Sequence, residues 1–465
     1  MRDAFKRSWD AYRKYAWMKD ELTPVSAHGK TTFGGWAATL VDSLDTLHIM
    51  GFQREFTEAV HATTSLDWGT TEAGAVNIFE TTIRYLGGLL SAYDLSGDKN
   101  LLHKAVELGE MLYIGFDTPN RMPPFWLNFE EARDGMMVAG RSDASAAPTS
   151  LCVEFTRLSQ ITGDPKFYDA TDRITRFVER IQNETSLPGM WPVVLDFRSE
   201  RAIDYRFTLG AQADSLYEYL PKMYALLGGL DSSFETMYRT AMDVVIKKLL
   251  FRPMTPDQQD ILFTGDYHTG RGGRFIPESQ HLTCFAGGMF GLGGRLFGID
   301  EHVSIGEKLA RGCGWAYKSF PTGVMPEVFT LLRCEKRDAC PWDEKEWAGY
   351  GNNHLAKGFT GASDGRYLLR PEAIESIFIL YRITGNSDLQ DIAWDMFQGI
   401  MKSTKTQYAN SAIRDVRAKG TTTKLDSMEV CYLTCTLFSP TVGFFLLFFR
   451  FFSALFVCVS LPLHH

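Results

Sequence analysis

Residues 75–98 read AVNIFETTIRYLGGLLSAYDLSGD, and their spacing predicts a helix with two different faces. Phe79, Ile83, Leu86, Leu90 and Tyr93 recur at three- and four-residue steps and make an apolar stripe. Beside it run Glu80, Arg84, Gly87, Gly88 and Ser91. Glu80 and Arg84 are four apart, so they project from one face, as a structural ion pair in a packed core or as a shared polar site. Two adjacent glycines inside a helix cost about 1 kcal/mol each relative to alanine. That cost is tolerated where a ligand or another helix must come close.

The same unit returns further along the chain. Residues 152–181 and 371–400 each read as an apolar helix, a short turn and an amphipathic helix. The turns are Ser96-Gly97-Asp98, Thr162-Gly163-Asp164 and Thr384-Gly385-Asn386. Recurring helical hairpins of this kind predict an α-repeat array with the apolar members inside and the amphipathic ones outside. Uneven spacing, with long insertions at 119–147 and 326–366, argues against a regular solenoid. It favours an all-α closed barrel whose site is built from loops. Residues 9–17 and 34–51 read as two further helices, the second carrying Asp42 and Asp45 as caps or as a buried polar network. Residues 207–222 and 281–294 enter two more inner helices; Ser215 and Glu218 have capping-box spacing, which puts Asp214 at the helix mouth.

Composition limits the alternatives. The chain has 465 residues, 45% of them hydrophobic, and a net charge of −8, which is globular and gives no basic stripe for nucleic acid. The N-terminus is charged and amphipathic, without the apolar segment of a secretory signal. Eight cysteines contain no CxxC pattern, so zinc is not expected. Cys334 and Cys340 flank a short charged loop, which leaves a local disulfide open; Cys152, inside an apolar helix, reads as a buried free thiol. Asn183-Glu184-Thr185 is the single glycosylation sequon.

The residues FETTIRYLGGLLSAY, together with LVDSLDTLHIMG, AQADSLYEY and LLRPEAIES, resemble glycoside hydrolase family 47. Its members are the class I α-1,2-mannosidases that trim high-mannose N-glycans. The resemblance runs from Arg2 to Glu429 and implies an (α/α)7 barrel as one catalytic domain over residues 1–429. It also implies a Cys284–Cys313 disulfide, a monomer and residence in the secretory pathway. Other α/α-barrel glycosidases and terpenoid-cyclase-like folds lack this motif set.

Glycoside hydrolysis needs one protonated and one ionised carboxyl. Glu80, Asp214 and Glu372 sit on three different inner helices. Pro371 suits a first helical position, and the helix N-terminus favours an ionised Glu372, as a general base requires. Glu80 reads as lying deeper in an apolar helix, where desolvation favours an acid role that Arg84 opposes. The resemblance assigns Glu80 as acid, Asp214 as a carboxylate sharing or relaying that role, and Glu372 as base. It places Arg84, Glu154, Arg370, Glu375 and Glu429 around the sugar. Inversion, also implied, calls for carboxyls roughly 6.5–9.5 Å apart with water between them. The family's mammalian ER members carry arginine where this chain has Gln212, so their linkage preference does not transfer.

The resemblance further implies Ca2+, held by hard oxygen donors and anchored by a threonine in a C-terminal segment that this sequence lacks. The resemblance stops at Glu429, and residues 430–465 are expected to lie outside the family fold. Within them, 443–461 is apolar and long enough to span a bilayer, although Arg450 near its centre costs roughly 2.5–3.5 kcal/mol. A C-terminal anchor is one reading. The sharper expectation is translated intron from Val430 onward, leaving the calcium site without its anchor and the chain nearly inactive. The rival function is a non-catalytic or weakly catalytic high-mannose glycan-binding relative acting in glycoprotein quality control.

Overall fold

The computed structural model describes residues 1–430 except Glu72, together with Tyr432, and leaves out the side chain of Arg271. The expectations for 443–461 and for Cys431, Cys435 and Cys458 lie outside the described residues.

The helical hairpins are present. Gly87–Ser96 packs on Lys99–Tyr113, Cys152–Thr162 on Lys166–Ile181, and Asp214–Leu226 on Ser233–Lys248. Phe285–Leu296 packs on Asp300–Ser319, and Glu372–Thr384 on Asp388–Thr404. The first members also touch one another in chain order, which makes them the inner ring of an α/α barrel. Ala38–Asp42 and Leu44–Ile49 join that ring beside Gly87–Ser96, while Arg2–Tyr15 and Gln53–Thr64 accompany them in sequence. Burial follows this division. Phe285 to Gly294 are all buried on their inner helix, whereas Asp300–Ser319 buries one face only.

Three of the hairpins turn by the same device. Gly97, Gly163 and Gly385 each close an inner helix with φ near +70° and donate their N–H to the carbonyl of Tyr93, Ser159 and Tyr381. A left-handed C-cap of this sort is favourable for glycine and costly for most side chains. Gly88 has a different reason to be glycine. A Cβ there would stand 2.9 Å from the carbonyl oxygen of Val41, so the two inner helices meet backbone to backbone.

Several local expectations are corrected. Ala75–Asn77 is a strand paired with Trp126–Asn128, and the helix starts only at Ile78 because the Asn77 side chain caps it by accepting from the Glu80 N–H. Glu80 therefore lies in the first turn and not deep in the helix. The next segment, Thr82–Leu86, is wound as a π-helix before Gly87–Ser96 resumes the α form. The N-terminal helix is Arg2–Tyr15 and not 9–17. Residues 34–37 are outside any helix, with Gly34, Gly35 and Ala37 all at positive φ, so only 38–49 is helical there. The Ser215–Glu218 capping box does not form: Ser215 receives the Ser150 hydroxyl, and Glu218 pairs with Lys222 one turn on. Asp214 nevertheless opens its helix, at the mouth as expected. Pro371 sits at the cap, one residue earlier than the first helical position.

The insertions are not structureless. They contribute strands to three of the six small sheets seen among the described residues, including Val328–Leu331 and Phe359–Asp364 in the sheet with Glu278–Gln280. Cys284 is bonded to Cys313 across one hairpin, with Cα atoms 6.1 Å apart, and Cys334 is bonded to Cys340. Cys152 is a buried free thiol.

Candidate active site

The N-terminal turns of the inner helices open into one cavity of about 490 Å³. Glu80, Arg84, Glu154, Asp214, Arg370, Glu372 and Glu375 all line it, brought together from four separate stretches of the chain by inner helices and the residues just before them. Glu429 is not among the lining residues. It lies close enough to Glu21, Arg84 and Arg370 to feel their charges, and burial raises its carboxyl above the usual range.

Glu80 and Arg84 form the expected pair, with Nε donating to Oε2 at 2.8 Å. The Arg84 guanidinium lies over the Phe33 ring at 4.6 Å. Phe33 belongs to a loop gathered by Asp20, whose carboxylate accepts the N–H groups of Thr32, Phe33, Gly35 and Ala38 and the hydroxyl of Tyr85. Asp45 plays the predicted buried polar role, accepting from Ser91; Asp42 lines the cavity.

The remaining acids divide into two kinds. Asp214 and Glu154 are each pushed up to about 7, burial being the main cause. The charges of Glu218 and Glu372 add to the rise at Asp214, and a Ser215 N–H bond opposes it. Glu154 accepts the Tyr219 hydroxyl at 3.0 Å on Oε1, while its buried Oε2 has no hydrogen-bond partner. Glu375 is also raised, by burial and by the charge of Glu218, with Lys222 working against both.

Glu372 behaves in the opposite way. Burial again acts upward, but the His281 hydrogen bond, the His281 charge and Arg370 outweigh it and hold the carboxyl below its ordinary value. His281 Nδ1 meets Glu372 Oε2 at 3.1 Å, and its Nε2 meets the Tyr317 hydroxyl at 2.7 Å. Arg370 is itself fixed by Glu327. These buried partners come from separate segments, so neither His281 nor Glu327 stood out in the sequence. Lys222, four residues after Glu218, was the one legible from spacing.

Backbone strain marks the approach to both kinds of acid. Gln212, two residues before Asp214, has φ +77°, and Leu369, three residues before Glu372, has φ +61°. Non-glycine residues in this region cost of order 1–3 kcal/mol and are retained where surrounding contacts over-determine them. The Gln212 carbonyl accepts from the Ala146 N–H at 2.9 Å, which is one such contact.

A cavity that sets one carboxyl held below its ordinary value beside others raised by burial, with two arginines, is equipped for acid–base work on a neutral polyhydroxy substrate. The sequence model of Glycosyl hydrolase family 47 matches residues 4–438.

The chain belongs to glycosyl hydrolase family 47.

Relatives bear this out at the level of whole chains. A mannosyl-oligosaccharide 1,2-alpha-mannosidase of Arabidopsis thaliana is 32% identical over 95% of this chain and 74% of its own length. The endoplasmic reticulum mannosyl-oligosaccharide 1,2-alpha-mannosidase of Homo sapiens is 34% identical over 94% of this chain and 59% of its own. The alpha-1,2-mannosidase from Trichoderma reesei superposes with a TM-score of 0.84 at 28% identity, covering 94% of this chain and 91% of its own. This family 47 chain is thus of the glycosidase class, and its homologues support mannose trimming from N-glycans.

Proposed function

We propose that the protein is an inverting exo-α-1,2-mannosidase that removes terminal α-1,2-linked mannose from high-mannose N-glycans. The observation that carries this reading is that Glu372 and Asp214 face one cavity and are shifted in opposite directions, Glu372 by His281 and Arg370 and Asp214 by burial. Glu372, ionised, takes a proton from a water that attacks the anomeric carbon. As that C–O bond forms, the glycosidic C–O bond breaks, and the departing oxygen receives a proton from the acid side. Asp214 is the carboxyl that holds a proton near neutral pH; it delivers that proton together with Glu80, whose pairing with Arg84 positions it. Arg84, Arg370, Glu154 and Glu375 hold the sugar's hydroxyls. Glu429, which does not line the cavity, acts only through the charges of the two arginines.

Calcium enters on the resemblance alone. The carboxylates are hard donors of the right chemistry, but among the described residues no three His, Cys, Asp or Glu side chains are grouped to hold a metal ion. The described residues therefore do not form a calcium cage by themselves, and no step above passes through one. Residence in the secretory pathway is supported by the human relative's name and by two disulfides, which persist in oxidising compartments. Among the described residues no helix is long and apolar enough to cross a membrane.

The test is release of mannose from an α-1,2-linked mannobiose, with and without a chelator, followed by NMR of the first anomer formed. Release of β-mannose is expected. Glycan binding without release would instead support the non-catalytic rival, and release of α-mannose would refute inversion.

A further inference from the structure

A singly exposed apolar side chain is ordinary on a protein surface, and only its surroundings give it meaning. Trp126 is 55% exposed, and its place in the fold is specific. Its sequence neighbour Phe125 lines the catalytic cavity. The two rings stand at 70° with centroids 5.8 Å apart, so Phe125 braces the indole edge to face. The backbone is pinned from the other side. Trp126 lies opposite Asn77 in the Ala75–Asn77 and Trp126–Asn128 pairing, and the Ile78 N–H donates to the Phe125 carbonyl. Asn77 is both a cavity-lining residue and the cap of the Glu80 helix. A two-stranded ribbon thus joins an exposed indole directly to the turn that carries Glu80.

We propose that Trp126 is a sugar-stacking platform at the rim of this cavity, engaging inner mannose residues of the glycan whose terminal mannose is inside. This rests on the mannosidase reading above and names a subsite of the same site. A pyranose carries an apolar C–H face that packs on an aromatic plane, while its hydroxyls stay in water. Exposed indole suits that ligand better than a buried core does, because only one ring face need be covered. Continuity with the cavity selects the occupant: a chain of sugars leaving the cavity past Phe125 meets Trp126 next.

The experiment compares kcat/KM for α-1,2-mannobiose and for a full high-mannose glycan in W126A, W126Y and W394A. Trp394 is an exposed indole on the outer helix Asp388–Thr404 and serves as the control. W126A should lose roughly tenfold on the glycan, mostly in KM, and less than about twofold on the disaccharide, which is too short to reach the rim. W126Y should restore most of the loss, and W394A should match the parent on both substrates. An equal loss on both substrates, or no loss on either, would overturn the platform. If W126A does not fold, W126L, which keeps bulk but has no ring face, takes its place: a loss confined to the glycan supports the platform, and equal losses or none overturn it. Failure of the parent to release mannose from the disaccharide is a different result, which refutes the mannosidase reading itself and the platform with it.

Discussion

Asp214 and Glu372 each open an inner helix, each is half-buried, and each lines the same cavity. A helix N-terminus favours a carboxylate at either position, yet only Glu372 is held below its ordinary value. The difference lies in the neighbours. Glu372 faces His281 and Arg370, both fixed in turn by Tyr317 and Glu327. Asp214 faces Glu218 and Glu372, two more acids, and the one lysine of that wall is taken up by Glu218. The lesson is that helix position alone does not decide which carboxyl is base and which is acid. The charge of the opposing wall does.

The largest effect expected from breaking this contrast is at the base. E372Q keeps the shape and removes the proton acceptor, so turnover of mannobiose should fall by roughly 10³-fold or more. Glycan binding, measured by calorimetry, should persist. Retained turnover would remove Glu372 from the base role.

On the acid wall, D214N should cost about 10²–10³-fold in kcat. The parent's pH profile sharpens the same point. Asp214 works in its protonated form and its carboxyl is raised to about 7, so kcat/KM should decline as pH rises through that region. Glu372 works ionised and is depressed, so the acid limb should lie below the ordinary carboxylate range, near 4. A profile that keeps rising through pH 8 would contradict the assignment.

The two walls also differ in their staple. Cys284–Cys313 ties the inner helix Phe285–Leu296 region to the outer helix that carries Tyr317, behind Glu372. Opening this 29-residue loop in C313S should cost about 3 kcal/mol in the chain-entropy model, read as a lower melting temperature. Unchanged melting would show that packing alone holds that wall.

The smallest expected effect is at His281. H281N removes part of what holds the Glu372 carboxyl below its ordinary value, so the acid limb should move up while the alkaline limb stays. Movement of both limbs would mean that the walls are more strongly coupled than their partners indicate.

Much of this was open to reading from residues in order. Period-3.6 apolar stripes and repeated Gly turns mark the hairpins, because a helix face and a left-handed cap are local requirements. The inner-ring acids follow from them, since a carboxyl on an apolar helix must face a cavity or a partner. The glycine pair was legible as a sign of close approach, though not that Gly88 meets Val41. The tertiary structure alone decided the rest. Whether Glu80 lay deep or at a helix start depended on the 126–128 strand, whose pairing with 75–77 keeps the chain extended up to Asn77. Whether Ser215 and Glu218 capped their helix depended on Ser150 and Lys222, which outcompeted the box. Which carboxyl keeps its proton depended on His281, 91 residues from Glu372 in sequence, and on how the fold turns Arg370, two residues before it, toward the same wall. Local sequence sets torsions and periodicity over a few residues, whereas protonation follows the field of whatever long-range folding brings within a few ångströms.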